Sequence, residues 1–311
     1  MRKWLIGLSV LVVLALSSIY IFIPGNLSIS VAATIDCTAS GANRCLSDES
    51  KWEKWWPGTV TANDDFYIYK NKKYSIERKL LNGVDVLIND NNSKVNSTIN
   101  AYQSNFDSSV IEWRCTIISG LNPFRRIAQY NHAVMLKKNM DTIFQSLRSF
   151  LGKKENVYGI SISKSSVTDS LLVSRKSITP LSPSLTEVYE LINFLRIYIS
   201  KQGAQQSGNP MMNVTKLGTG QFQLMVAVPT NKNLNSTENI SSIKMVNGNF
   251  YVATVKGGLK TIDKAMNQMQ LYFQDYQKTA MAIPFQSLVT DRINEPDTAK
   301  WVTKIYAPVL K

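Results

Sequence analysis

The pattern of apolar and polar positions divides the chain into three parts. Positions 4–23 are almost entirely apolar and carry no charge. From position 26 onward, apolar and polar residues alternate with a period of two in several short segments, which is typical of strands with one buried face. Segments with apolar residues at helical spacing follow these strands. The pattern predicts one apolar helix followed by regions that mix strands and helices.

The apolar run at the beginning of the chain is long enough for a helix to span the hydrocarbon core of a bilayer. Two basic residues precede it and Pro24-Gly25 ends it. We therefore predict a transmembrane anchor at 1–25, with the N-terminus in the cytoplasm and the following domains facing outward, in the periplasm or at the cell exterior. A cleaved signal peptide is the alternative, but the run is longer than a usual signal core.

The part from 26 to 155 alternates strand-like segments with turn clusters and closes with a long amphipathic helix. Apolar residues recur at helical spacing from Val134 to Leu151, and Gly152 marks the predicted end. A curved antiparallel sheet around one long helix buries both apolar faces. This part therefore predicts one α+β domain.

The opening of this part resembles the SRPBCC superfamily, the helix-grip fold of START-type carriers of hydrophobic ligands. The resemblance depends on the strand Ser28 to Ile35, on Arg44-Cys45-Leu46-Ser47-Asp48, and on the corner Lys54-Trp55-Trp56-Pro57. It implies a cavity between sheet and helix, but no shared catalytic residue. The tryptophans of the corner suit either packing or a cavity mouth.

The part from 156 to 311 contains an internal duplication of a βαββ unit. The first copy has a predicted strand, helix, strand and strand at 171–178, 184–201, 211–217 and 221–228. The second copy repeats this order at 250–256, 261–277, 283–290 and 301–309. Neither copy covers its sheet well alone, so we expect the two sheets to join and to leave a cleft at their junction.

The duplicated part resembles the GyrI-like small-molecule-binding domain, the effector-binding domain of bacterial transcription activators. The phrases that carry the resemblance are Glu187-Val188-Tyr189, Gly208-Asn209-Pro210-Met211-Met212, Met225-Val226-Ala227-Val228-Pro229, Gly257-Gly258, Pro284-Phe285 and Lys304-Ile305-Tyr306-Ala307-Pro308-Val309. The resemblance implies that planar, often cationic, hydrophobic molecules bind in the central cleft. Some members of that family hydrolyse cyclopropane-bearing compounds there.

One position departs from that family's pattern. Many members carry an acidic residue two positions before the tyrosine of the closing strand, where this chain has Lys304 before Tyr306. A lysine repels a cationic ligand and favours an anion, which puts cation binding and acid-dependent hydrolysis in doubt. The candidate ligand-binding residues of the cleft are Tyr189, Tyr251, Phe285, Trp301, Lys304 and Tyr306.

Charge and cysteine content add little to this picture. The net charge is +13, but the basic residues are spread along the chain without a helix-turn-helix or zinc-finger pattern, so we expect no nucleic-acid partner. Cys37 and Cys45 either form a disulfide or remain buried thiols, and Cys115 makes the count odd. The lone His132 fits a structural role better than a catalytic one.

Together these patterns predict an α+β protein with a membrane anchor at 1–25, an SRPBCC-like domain at 26–155 and a GyrI-like domain at 156–311. The predicted function is non-catalytic binding of a hydrophobic small molecule or lipid near the membrane, with no cofactor and no catalytic residue. A hydrolase working in the GyrI-like cleft and a partner-docking protein are the alternatives. A transcription regulator fits poorly with an outward topology.

Overall fold

The computed structural model describes residues 2–60, 66–90, 93–167, 170–218, 220–245 and 248–309. Residue 1 of the predicted anchor and residues 310–311 of the predicted last domain lie outside the described residues. The chain divides into two compact units, Met1–Val157 and Tyr158–Lys311, which are called unit 1 and unit 2 below. Each unit contains one antiparallel sheet with its own helices.

Unit 1 is a seven-stranded antiparallel sheet with a long helix that follows the last strand. The strands lie in the order β1-β7-β6-β5-β4-β3-β2, so all neighbours except β1 and β7 are consecutive in the chain. The elements are α1 (Arg2–Phe22), β1 (Asn26–Ile35), α2 (Ala39–Ser47), α3 (Glu49–Trp55), β2 (Thr59–Val60), β3 (Tyr67–Tyr69), β4 (Lys72–Lys79), β5 (Gly83–Asp90), β6 (Ser93–Asn105), β7 (Ser108–Ile118), α4 (Pro123–Leu151) and α5 (Lys154–Tyr158).

The core of unit 1 lies between one face of the sheet and helix α4. Strand β1 alternates exposed and buried residues and pairs with β7 along its whole length. Asn122 caps α4, because its side chain accepts hydrogen bonds from the backbone N–H groups of Phe124 and Arg125. Trp52, Trp55 and Trp56 pack against one another with ring centroids 4.7–5.8 Å apart and are buried, so the tryptophan corner is packing.

The prediction of a transmembrane anchor is wrong. Among the helices of the described residues, none combines the length and the apolar character that a membrane span requires. The membrane helix in the predicted fold class, the membrane partner and the outward-facing localisation lose their support with it. Helix α1 does form, and its last turn contacts protein: the Tyr20 hydroxyl donates to the Leu121 carbonyl, and the Arg126 guanidinium lies 4.6 Å from the Tyr20 ring centroid.

Unit 2 is an eight-stranded antiparallel sheet with two helices of equal length. The strands lie in the order β12-β9-β11-β10-β14-β15-β13-β8. The elements are β8 (Ile162–Val167), β9 (Ser170–Thr179), α6 (Leu185–Lys201), β10 (Met211–Lys216), β11 (Phe222–Thr230), β12 (Ser241–Met245), β13 (Gly248–Lys256), α7 (Leu259–Asp275), β14 (Phe285–Leu288), a short 3-10 helix (Thr298–Lys300) and β15 (Val302–Val309).

The strand order shows the internal duplication directly. The first copy contributes β9, β11 and β10 in that spatial order, and the second contributes β14, β15 and β13, which is the same arrangement reversed. The two copies meet where β10 pairs with β14, so this junction is the pseudo-twofold centre of the sheet. Strands β8 and β12 were not foreseen, and each precedes one copy but flanks the other.

These two flanking strands force the sheet to curve. Val167 at the end of β8 and Ser170 at the start of β9 are three residues apart, as are Met245 and Gly248 between β12 and β13. Three residues reach at most about 11 Å. Each pair of connected strands is nevertheless six places apart in the sheet, which would be about 29 Å if the sheet were flat. The sheet is therefore a half-barrel with a convex and a concave face.

Both helices cover the convex face. Val188, Ile192 and Leu195 of α6 pack on Leu224 and Val226 of β11 in one cluster. A second, smaller cluster joins α7 to the second copy, and it consists of Val255, Ile262, Ala265 and Ile305. Because strand side chains alternate between faces, the residues between these core positions point to the concave face.

Candidate functional site

A cavity of about 520 Å³ lies on the concave face of unit 2. Its size falls within the range of small-molecule pockets in proteins, roughly 300–1,000 Å³. Residues of both copies and of β12 line it. They are Leu172, Met211, Met212, Asn213, Met225, Ala227, Ile243, Lys244, Met245, Gly248, Asn249, Phe250, Met281, Ala282, Ile283, Phe285, Pro308 and Val309.

The lining is mostly apolar and contains five methionines. Thioether side chains are unbranched and polarizable, so they adapt to ligands of irregular shape. The polar residues of the lining are Asn213, Lys244 and Asn249, and no Asp or Glu lines the cavity among the described residues. The cavity can therefore hold an apolar body, with few polar groups to orient it.

Two aromatic rings, Phe250 and Phe285, line one wall of the cavity, and Tyr306 packs against both of them. Phe285 and Tyr306 stack, with ring centroids 5.0 Å apart and planes 6° from parallel. Phe250 meets both rings edge-on at 6.1 and 6.0 Å. Phe285 and Tyr306 are direct cross-strand partners on β14 and β15, which explains the stack. The wall therefore comes from the second copy and has a fixed geometry.

Asn213 fixes the opposite side of the junction. Its side-chain amide donates to the Pro284 carbonyl at 2.8 Å, and its carbonyl oxygen accepts from the Thr215 hydroxyl at 2.8 Å. The first bond joins β10 of the first copy to the segment before β14 of the second copy. Asn213 thus holds the two copies together beside the cavity and presents a defined polar edge.

The structure places three of the six predicted site residues on or beside this wall. Phe285 lines the cavity, and Tyr306 supports it by stacking without lining the cavity itself. Lys304 lies on the same strand as Tyr306 and shares its face of the sheet, because it is two residues away. Lys304 is half-buried and does not line the cavity.

The other three predicted residues belong to the convex side or to a loop near it. Tyr189 is a residue of α6 and is buried in the core. Its hydroxyl accepts a hydrogen bond from the Arg292 backbone N–H at 2.6 Å. Tyr251 packs edge-on against Tyr272 of α7, with ring centroids 5.3 Å apart. The Trp301 indole N–H donates to the Glu295 carbonyl at 2.8 Å. None of the three lines the cavity.

The sequence did not identify the five lining methionines, Met211, Met212, Met225, Met245 and Met281, or the lining asparagines Asn213 and Asn249. The signal for some of them was present, since Met211 and Asn213 alternate on one strand, as do Met225 and Ala227. A period-two pattern alone does not say which face is the open one. Met245 and Asn249 lie on strands near opposite ends of the strand order, and only the curvature of the sheet brings both to the cavity.

Unit 1 contains one compact cluster of titratable side chains. The Asp90 carboxylate lies 2.8 Å from His132 Nε2 and pairs with Lys72, whose Nζ is 3.2 Å from the same His132 nitrogen. Asp90 also accepts from the backbone and hydroxyl of Ser93. The cluster joins the β4–β5 hairpin to α4. In the described part of the chain, no group of three or more His, Cys, Asp or Glu side chains is placed to hold a metal ion.

All three cysteines are buried thiols, and none of them forms a disulfide. The alternative of a Cys37–Cys45 disulfide is therefore not realised. Burial raises the pKa of the Cys45 thiol, although the nearby Lys51 ammonium opposes that effect. Burial also raises the pKa of Cys115 to about 11. Thiols with raised pKa values are poor nucleophiles near neutral pH.

No protein-family model matches the chain, and no curated protein matches it. Solved structures similar to it include the EcmrR C-terminal domain, with 16% identity over 49% of this chain and 98% of that chain and a TM-score of 0.43. EcmrR in a DNA complex has 17% identity over 60% and 70% of the two chains, with a TM-score of 0.44. SAV2435 bound to tetraphenylphosphonium has 16% identity over 48% and 94%, with a TM-score of 0.33.

Proposed function

We propose that unit 2 is a GyrI-like small-molecule-binding domain that holds one hydrophobic molecule in the concave cavity. The observation that carries the proposal is the cavity itself, about 520 Å³ in volume and lined almost wholly by apolar side chains. A concave apolar pocket with a few polar groups is the usual form of a small-molecule site. The internal duplication supports the proposal, because the pocket lies at the junction of the two copies.

The geometry of the lining also supports binding rather than packing. The convex face is filled by α6 and α7, whereas helices of unit 2 leave the concave face uncovered. The lining rings of Phe250 and Phe285, held by packing against Tyr306, offer a rigid surface for an apolar or aromatic ligand. The methionines facing it allow ligands of different shapes to fit.

The role of unit 1 stays a prediction. Its resemblance to helix-grip carriers implies a cavity between sheet and helix, while its described core contains the buried tryptophan cluster and Trp113. We propose that the ligand-binding activity resides in unit 2.

The proposal is tested by titrating the full chain with N-phenyl-1-naphthylamine, a neutral hydrophobe whose fluorescence rises when it leaves water. We expect saturable binding in the micromolar range. Ala227 lies buried in the cavity wall on β11, so Ala227→Trp should fill the site and weaken binding at least about tenfold.

The matched control is Ile197→Trp, which adds the same ring to an exposed position on the outer side of α6. It should bind the probe as the unmodified chain does. Equal binding by the Ala227→Trp protein and the unmodified chain would place the probe elsewhere and contradict the proposal.

A further inference from the structure

The charged residues in the strands of unit 2 are all basic. Its eight strands contain no Asp or Glu in their described residues. They contain seven basic residues, which are Lys164, Arg175, Lys176, Lys216, Lys244, Lys256 and Lys304. A ligand on this sheet therefore meets positive charge that no strand carboxylate offsets.

The strand register shows which of these charges face the cavity. Met225 lines the cavity, and its direct partner on β9 is Lys176. Met211 also lines it; its partner on β14 is Ser287, whose partner on β15 is Lys304. Directly opposed residues share one face of a sheet, so Lys176 and Lys304 lie on the concave face.

The distances are short enough to matter electrostatically. Lys176 is one strand from the lining residue Met225, about 5 Å at the backbone, and Lys304 is two strands from Met211, about 10 Å. Lys304 is half-buried, which reduces screening of its charge by solvent.

Neither Lys176 nor Lys304 is neutralised by a partner within the described part of the chain. The ion pairs there involve other residues, and none includes Lys176 or Lys304. The described acidic residues of unit 2 belong to α6, α7 and the loops and not to the strands. The field in the cavity therefore favours negative charge.

We infer that the cavity selects hydrophobic anions, molecules with a bulky apolar body and a single negative charge such as a carboxylate or sulfonate. This inference rests on the proposed function, because it assigns a charge preference to the same cavity. The apolar lining takes the body of the ligand, and the lysines of the concave face attract its charged group.

Two ions of nearly the same size and shape test the charge preference directly. Tetraphenylborate is an anion and tetraphenylphosphonium a cation, and both present four phenyl rings. We expect equilibrium dialysis of the full chain at low ionic strength to give at least about tenfold tighter binding of the borate. The preference should shrink when the salt concentration is raised.

Substitutions separate the charge effect from intrinsic differences between the two ions. Lys304→Met and Lys176→Met keep the length of the side chain and remove its charge. Each should lower the borate-to-phosphonium affinity ratio about threefold or more, and both together about tenfold. Lys201→Met, at the end of α6, removes the same charge from the convex side and should leave the ratio unchanged.

The outcomes are distinguishable from failure of the proposed function. Equal affinities for the two ions, or tighter binding of the phosphonium, would overturn the inference while leaving the cavity a binding site. A ratio that does not change in the Lys176→Met/Lys304→Met protein would also overturn it. If neither ion binds and the neutral naphthylamine fails as well, the proposed function itself is wrong.

Discussion

The buried residue Arg292 connects the loop before β15 to helix α6 through hydrogen bonds and a ring contact. Arg292 is buried in the loop before β15, where its guanidinium donates to the Thr303 hydroxyl at 2.9 Å and lies 5.0 Å from the Trp301 ring centroid. Its backbone N–H donates to Tyr189 on α6. Burial lowers the pKa of Arg292 and raises the pKa of Tyr189. Tyr189, predicted as a ligand contact, thus ties the loop to the helix.

Tyr189→Phe should destabilise unit 2 by about 1–2 kcal/mol, because it leaves the buried Arg292 N–H without its acceptor. The matched control is Tyr198→Phe on the same helix, whose hydroxyl donates to the Asn235 carbonyl at a solvent-exposed position. That change should cost less than about 1 kcal/mol. Urea unfolding measures both. Equal losses in the two variants would show that the buried bond has no special role.

Burial of the Cys115 thiol should make the free energy of unfolding of unit 1 decrease as the pH rises through the alkaline range. Its pKa is 9.0 for an exposed thiol and about 11 in the fold. Its contribution is therefore fully present below pH 9 and is lost as the pH rises toward 11, since only the unfolded chain ionises readily there. Relative to Cys115→Ala, the unmodified chain should lose up to about 1.4 kcal/mol per pH unit in this window. A constant difference from pH 7 to 11 would contradict the burial argument.

At the scale of elements, the two copies differ in how their helices begin. Helix α6 starts with a capping box, in which the Ser184 hydroxyl accepts from the Glu187 N–H and the Glu187 carboxylate accepts from the Ser184 N–H. Helix α7 starts at Gly258 without a side-chain cap. The duplicated helices have therefore diverged in what fixes their first turn.

Ser184→Ala should lower the free energy of unfolding by about 1 kcal/mol, because it removes the cap of α6. Ser200→Ala, at an exposed position near the end of the same helix, should have little effect.

The hydrogen bonds from Ser184 also hold the pKa of Glu187 below its usual range. The stabilisation from that carboxylate is therefore present at neutral pH and lost as the pH falls through the folded pKa. Melting curves at pH 7 and pH 3 would show no such change if the box does not form.

Local patterns predicted much of the secondary structure of both units. The duplicated strands and helices lie within a few residues of their predicted bounds, because period-two and helical spacing depend on burial of one face. Strands β8 and β12 escaped prediction, since Ile162–Val167 and Ser241–Met245 are short and rich in serine. The apolar run at the N-terminus led to the wrong prediction of a membrane span.

The site was less predictable than the elements. Phe285 was identified as a lining residue, but Tyr189, Tyr251 and Trp301 point to the helices or into a loop. The choice of face depends on the curvature of the sheet, which follows from pairings between β8 and β13 and between β12 and β9. Such distant pairings leave no periodic signal in the sequence. The methionine lining therefore became visible only in the folded chain.

At the scale of the whole molecule, unit 2 places a cavity on the open face of a duplicated half-barrel whose other face is covered by its helices. Strand β9 begins three residues after the end of β8, and β13 begins three residues after the end of β12, so these sequence distances require that curvature. Ligand binding should leave the fold unchanged and alter only the environment of the lining. We therefore expect a response confined to the side chains that line the cavity.

The most direct measurement is methyl NMR of the full chain labelled with carbon-13 at its methionine methyl groups, during titration with N-phenyl-1-naphthylamine. We expect saturable shifts for the lining residues Met211, Met212, Met225, Met245 and Met281. Methionines outside the lining, which include Met135 and Met140 of α4 and Met266 and Met269 of α7, should keep their positions. Shifts of those outer methyls, with the lining methyls unchanged, would contradict the account.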